Sequence, residues 1–268
     1  MKNHLTYRSN VLHLKVRPYQ FSIVYAKNCS IKIKEERSHD EIILPKGSIT
    51  FIEKNLNIGI AITKENEGEA YIVRTLNNDA ARDLIKILSP FLKIIPKNVS
   101  KERKLNDKIH SITSEGTNAM LFSSIKDNNG TASDIYKLAC LISKSDKLEK
   151  IYWSLCVSAS QYFSDRVKAV VESELSKKWS LSSVSEALSL SEIAVRKKLE
   201  SENTSFYQVL LDARMHKAAK LILNENHHIN TVSSKVGVSS TSYFIKMFST
   251  YYGVTPKQFY LHYKSIKT

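Results

Sequence analysis

Between Val11 and Leu76 apolar and polar residues alternate in short runs, as in Phe21, Ile23 and Tyr25, in Ile31 and Ile33, and in Ile58, Ile60 and Ile62. A two-residue period puts every second side chain on one face, so these runs predict half-buried β-strands. Lys46-Gly47-Ser48, Asn55 to Asn57 and Glu65 to Gly68 supply turn residues between them. The region therefore reads as roughly six or seven strands of a barrel or sandwich.

After Asp79 the period lengthens. Ala81, Leu84, Ile85 and Leu88 recur at helical spacing as far as Pro90, with Asp79 as the expected N-cap. Ser100 to Gly130 is polar and reads as loops around short helices. Two further helical patterns follow, Ile135 to Ile142 and Leu148 to Phe163, the second with Ile151, Leu155 and Tyr162 on one face. Such a pair either covers the barrel or forms a subunit interface.

From Ser164 onward helical spacing continues to the end, and within it one plan occurs twice. Ser182 to Leu188 is a short helix with Val184, Ala187 and Leu188 on one face, and a second helix begins near Ser191, which can cap it. Val195 and Leu199 point inward, which sends Ile193, Arg196, Lys197 and Glu200 outward. Further on, Ile229 to Val236 is a supporting helix, Gly237 a tight turn, and a second helix starts near Ser240. Phe244, Met247, Phe248 and Tyr251 form its core stripe, leaving Thr241, Ser242, Ile245, Lys246 and Ser249 outward. Gly253 ends it, and Pro256 opens a closing helix.

Phe206 to Leu223 reads as one helix between the two elements, with Leu210, Leu211, Met215 and Ala218 inward. At 1.5 Å per residue it is roughly 27 Å long. Two helix-turn-helix elements so joined can enter successive major grooves, about 34 Å apart, if the duplex bends modestly.

Composition narrows the partner. The net charge of +14 favours a polyanion, either nucleic acid or an anionic membrane. It does not locate the site, because +8 lies before Asp165 and +6 from there on. The longest apolar runs, such as Ile58 to Ile62, are far shorter than the roughly 20 residues of a membrane span, and Met1 to Asn10 lacks a signal-peptide core. A cytoplasmic protein with no membrane partner is expected.

Cys29, Cys140 and Cys156 are widely spaced and odd in number, so neither a disulfide framework nor a zinc site is expected. No nucleophile elbow or phosphate-binding glycine loop occurs. His4, His13 and His39 lack a His-x-His spacing, and His227-His228 has no ligand cluster near it in sequence, so no metal, cofactor or enzymatic activity is expected. The competing class is a small-molecule-binding barrel whose helical half is an adaptor without direct promoter activation.

Val236-Gly237-Val238-Ser239-Ser240-Thr241-Ser242-Tyr243-Phe244, with Phe248 and Tyr252-Gly253-Val254-Thr255-Pro256, resembles the signature of AraC/XylS-type transcription regulators. The likeness covers Trp179 to about Tyr263. Ser164-Asp165-Arg166-Val167 and Arg196 to Thr204 are similar to the enteric virulence-regulator branch, and Tyr25, Asn28-Cys29 and Phe51-Ile52-Glu53 show a fainter likeness to it.

The resemblance implies an α+β chain. An N-terminal cupin-like β-barrel with dimerisation-type helices, residues 1–163, would bind an effector and form a homodimer. An all-α DNA-binding domain, residues 164–268, would carry the two helix-turn-helix elements. It implies activation of colonisation or toxin genes, with double-stranded promoter DNA and RNA polymerase as partners. By position the base-reading residues would be Ile193, Arg196, Lys197, Thr241, Ser242, Ile245 and Lys246.

Isoleucines can only make apolar contacts, most naturally with thymine methyls, so A·T-rich sites are expected. Arg196, Lys197 and Lys246 suit guanine edges and phosphates equally. The chain departs from the family in having Val238 after the turn glycine, where an aromatic is usual, and Asn203 where a glycine usually follows the first recognition helix. Asn tolerates the left-handed conformation, so that turn should survive.

Several enteric members of the family are controlled by small molecules, including fatty acids, bile components or bicarbonate, and the resemblance implies such control here. For an anionic effector the resemblance points to Arg74, with Tyr19 and Arg17 on the opening strand and Lys217 on the linking helix as weaker choices. A structurally paired arginine is the alternative reading of Arg74.

Overall fold

The computed structural model describes residues 11–36, 38, 40–65, 69–92, 103–126, 131–224 and 228–267. It divides into two compact units, the chain passing from the first to the second between Ser160 and Gln161.

The first unit opens with seven strands: β1 Val11–Val16, β2 Phe21–Ala26, β3 Cys29–Glu35, β4 Glu41–Leu44, β5 Ser48–Ile52, β6 Ile58–Lys64 and β7 Ile72–Leu76. Helix α1 spans Asn78–Leu88, and an eighth strand, β8, follows at Ile109–Thr113. Every strand pairing is antiparallel, in two four-stranded sheets ordered β1-β6-β3-β4 and β7-β2-β5-β8. The expected alternation is clearest in β3, where Ile31 and Ile33 are buried between exposed Lys32 and Lys34. They stand opposite Ile62 and Ile60 of β6. The turns at Gly47 and Asn55 both take positive φ, 78° and 65°.

Three helices complete this unit: α2 Asn118–Ser123, α3 Ala132–Ser143 and α4 Leu148–Ala159. Phe21, Ile23, Ile49 and Phe51 of the second sheet share a core with Leu84 and Leu88 of α1, Leu138 and Ile142 of α3, and Ile151 and Leu155 of α4. One face of that sheet is thus covered by helices. All five residues of β5 are buried, which a strand achieves only when both faces are covered. Glu53, just after β5, is buried in an ion pair with Arg103 at 2.6 Å, and Arg103 also donates to Ser154 of α4 at 2.9 Å.

Several local expectations are corrected. The cap of α1 is Asn77, whose side chain accepts from the Ala80 amide at 2.8 Å, while Asp79 sits in the first turn. Within the stretch read as loops, residues 109–113 pair with β5 and close the sheet. The pattern read as one helix from Leu148 to Phe163 is two, because α4 ends at Ala159. Tyr162 therefore does not lie on its face but heads the next helix, its amide donating to Asp165 at 3.1 Å. Residues 66–68 of one expected turn, the segments 93–102 and 127–130, Met1 to Asn10, His39 and His227 lie outside the described residues.

The second unit is all helix: α5 Phe163–Glu172, α6 Leu181–Ala187, α7 Glu192–Ser201, α8 Phe206–Asn224, α9 Ile229–Lys235, α10 Thr241–Tyr252 and α11 Pro256–Lys267. It has two cores. Val167, Val171, Val184, Val195 and Leu199 form one with Val209, Leu210 and Ala213 of α8. Val232, Val236, Phe244, Phe248 and Tyr252 form the other with Met215, Ala218, Leu221 and Ile222 of the same helix. The linking helix thus supplies its first half to one bundle and its second half to the next.

Candidate nucleic-acid interface

Both α7 and α10 are fixed at their first turn by a serine. The Ser191 hydroxyl accepts from the Ala194 amide at 3.2 Å, and the Ser240 hydroxyl accepts from the Tyr243 amide at 3.3 Å. Counted from these caps the two helices carry the same layout. Val195 and Phe244 occupy the fourth position after the cap, Leu199 and Phe248 the eighth, and all four are buried. With a 3.6-residue period, the second, fifth and sixth positions then face away from the core. They hold Ile193, Arg196 and Lys197 in α7 and Ser242, Ile245 and Lys246 in α10, all six exposed.

Ile193 is 68% exposed and Ile245 37%. A β-branched apolar residue stands at the surface of each helix beside a cation, largely in water at Ile193 and partly covered at Ile245. Such a surface meets thymine methyls and phosphates together when it enters a major groove.

Two residues sort differently from the sequence expectation. Thr241 is half-buried, its hydroxyl 3.4 Å from that of Ser233 on α9, so it braces the supporting helix as well as edging the outer face. Ser249 is also half-buried and donates to the Ile245 carbonyl at 2.8 Å. Tyr243, 55% exposed, was missed. It sits one residue before the core position Phe244, on the flank of the helix, where an aromatic residue gives a periodicity argument no sign of exposure.

The turns that set these helices are also as the sequence requires. Asn203 takes φ 54° after α7, Gly237 takes 73° before α10, and Gly253 takes 80° at the C-cap of α10. Val238, in place of the usual aromatic, is buried in the second core. Sequence reading gave no role to Glu202, just past α7. Its carboxylate accepts from the Phe163 and Ser164 amides, which places a negative charge on the open N-terminus of α5. Arg166 and Lys198 lie over the Phe163 ring at 5.7 and 5.6 Å.

The residues chosen for an effector are not gathered by one element. Arg74 lies in β7, half-buried, and donates from Nε to the Ile125 carbonyl at 3.0 Å, with its guanidinium 6.0 Å from the Phe122 ring centre. It lines a cleft with Ile23, Asn77, Asp134 and Leu138 whose cavity volume is about 10 Å³. That is room for one water. Arg17 and Tyr19 are half-buried but lie beyond β1, in the connection to β2, and so not on the opening strand. Lys217 is exposed on α8 in the second unit.

Among the described residues no group of three or more His, Cys, Asp or Glu is placed to hold a metal ion, and no helix is long and apolar enough to cross a membrane.

A family model described as a helix-turn-helix domain matches residues 184–261, the span from α6 into α11. Over nearly its whole length the chain is similar to proteins named as transcriptional regulators. It is 41% identical over 255 residues to the virulence regulon transcriptional activator VirF of Shigella flexneri, covering 95% of this chain and 97% of that one. It is 36% identical over 249 residues to the DNA-binding dual transcriptional regulator Rns of Escherichia coli, with 92% of each covered. It is 33% identical over 251 residues to the transcriptional activator AggR of Escherichia coli, covering 93% and 94%. Among solved structures, ToxT from Vibrio cholerae superposes with a TM-score of 0.66 at 17% identity, over 93% of this chain and 94% of that one. A second ToxT structure, with an unsaturated fatty acid bound, gives 0.61 at 16% identity over 94% of each. Identities this low speak to the fold: a cupin-like N-terminal part followed by the helical one.

Proposed function

Because the chain belongs to the AraC family of transcription regulators, in its branch of enteric virulence activators, we propose that it activates virulence or colonisation genes. It does so by binding A·T-rich promoter sites through α7 and α10 in successive major grooves. The observation that carries this reading is the matched outward chemistry of the two helices: Ile193, Arg196 and Lys197 on one, Ser242, Ile245 and Lys246 on the other. Each has an exposed isoleucine, and each carries a lysine six residues after its serine cap. Promoter DNA and RNA polymerase are the partners, and residues 1–163 form the effector-binding and dimerisation part, with residues 164–268 reading DNA.

Replacing Lys246 with Ala should weaken binding to a target promoter by roughly 1 to 3 kcal/mol if the amine meets a base, and should relax the preference at that base pair. Equal affinity of variant and wild type for the promoter at every salt concentration would remove Lys246 from the interface.

The effector in this proposal is a small anion, a fatty acid, bile component or bicarbonate, with Arg74 as its cation and Tyr19 and Arg17 as secondary contacts; Lys217, which lies in the second unit, is left out of that site. The fatty acid held by ToxT supports the ligand class. Because the cleft beside Arg74 is closed to about 10 Å³, binding there requires Arg74 to leave the Ile125 carbonyl. Unaltered promoter activity in an Arg74→Ala strain, with no ligand detected by mass in the purified protein, would rule Arg74 out.

A further inference from the structure

The second reader is seated on the first through contacts that the helix-turn-helix plan itself does not need. Gly237 opens the turn before α10, and a Cβ built there would lie 2.3 Å from the Leu175 carbonyl oxygen and 3.2 Å from that of Ser176. Those carbonyls belong to the connection between α5 and α6, which is part of the first reader. The turn of the second reader therefore lies directly on the backbone of the first, at a separation that only a glycine allows.

Arg214, in the middle of α8, closes this junction. Its Nη2 donates to the Lys177 carbonyl at 3.3 Å, on the same connection, and lies 2.9 Å from where a Cβ of residue 237 would be. Its Nε is buried and makes no hydrogen bond. Burial pushes the guanidinium pKa down, with Tyr243 of α10 opposing the shift. A buried donor left without a partner is costly, and a leucine would fill the space without that cost. What the guanidinium supplies is a link between α8, the first reader's connection and the second reader's turn.

The far end of α10 is held from another side of α8. The Tyr251 hydroxyl donates to Asp212 at 2.9 Å and lies 3.3 Å from Nε2 of His216, while the Gln208 amide donates to the same Asp212 oxygen at 2.8 Å. Residues 208, 212 and 216 form one stripe at four-residue spacing, and residue 214 lies on the opposite side of the helix. Recognition helix α10 is thus gripped at its start through Gly237 and Arg214 and at its end through Tyr251.

We propose that Arg214 is a positioning residue that fixes the separation of the two recognition helices, and with it the spacing between half-sites that the protein accepts. This rests on the DNA-reading function proposed above. Arg214 itself touches no base in this proposal; it acts through the connection at Lys177 and the turn at Gly237.

The test is selection of bound duplexes from a random 30-base-pair library by the full-length wild type and by Arg214→Ala, with helical content checked by circular dichroism. The wild type is expected to enrich two half-site sequences at a single spacing, near one helical turn, and to bind duplexes altered by one base pair in spacing at least about tenfold more weakly. Arg214→Ala is expected to enrich the same two sequences over several spacings, with that penalty reduced to about threefold. An unchanged single spacing in the variant overturns the proposal, as does loss of one half-site sequence altogether, because that marks a collapsed reader and not a shifted one. If the alanine variant does not fold, Arg214→Lys, which keeps charge and reach but not the planar fork, carries the same expectation and the same refutation. Failure of the wild type to enrich any sequence instead overturns the DNA-reading function.

Discussion

At position 237 a single methyl group would meet a carbonyl oxygen at 2.3 Å while the backbone holds φ at 73°. Both terms act against any other residue, so Gly237→Ala should lower stability by about 2 to 4 kcal/mol, read as a fall in the denaturant midpoint. His110 of β8 offers a different residue-scale prediction. It is 2% exposed, and burial first, then the positive charges of Lys150, Lys147 and Arg103, push its pKa down to about 4, against a raising contribution from the Asp107 backbone. The unfolded chain takes up a proton near pH 6.5 that the folded one refuses, so this residue costs stability as pH falls from 6.5 towards 4. Burial raises the pKa of nearby Glu53, which works in the opposite sense. The difference between wild type and His110→Gln isolates the histidine: the variant should lose less stability across that window, by about 2 kcal/mol, in urea melts at pH 7 and pH 4.5. The outward residues of α7 and α10 were legible from the sequence because periodicity fixes which positions are buried. Tyr243 and Glu202 were not, since one resembles a core residue and the other acts on a helix 39 residues away in sequence.

Among elements, the two recognition helices depend on serine caps, of which the sequence identified Ser191 as a cap and placed only the start of the second helix near Ser240. Ser191→Ala and Ser240→Ala should each cost about 1 kcal/mol, since each leaves the first-turn amide it bonds without that partner. Measured by thermal melting, the two losses should add, because the caps belong to separate cores. A set of six or seven strands was legible from turn signals and from the alternation in β2, β3 and β6, whereas β5 is buried on both faces and carries no such pattern. Strand β8 was not, because Ile109 to Thr113 is short and its pairing with β5 is set by a partner about sixty residues earlier, which leaves no local pattern. The break between α4 and α5 was hidden for a related reason. Apolar residues continue through it, and the stop is made by the Tyr162 amide and Asp165 at the start of the next helix.

In the whole molecule the net charge of +14 is spread over both units, so charge alone favours a polyanionic partner without locating its site. Salt dependence separates the roles within the interface. A reader that neutralises on the order of six phosphates loses affinity with a log–log slope of about −5. Lys246→Ala should flatten that slope by about one if the amine meets a phosphate, and leave it unchanged if it meets a base edge. The division of the second unit into two cores was legible only in part: inward residues of the linking helix were identified, but not that Ala213 and Met215 belong to different bundles. Because both bundles draw on one helix, neither can come apart without loosening the wall of the other. Phe248→Ala, a large cavity in the second core alone, should cost about 3 to 5 kcal/mol, and loss of secondary structure in this unit should still follow a single transition. A promoter would then meet this protein with both hands or with none: heat or a core lesion lowers the number of competent molecules and does not create a population that holds half a site.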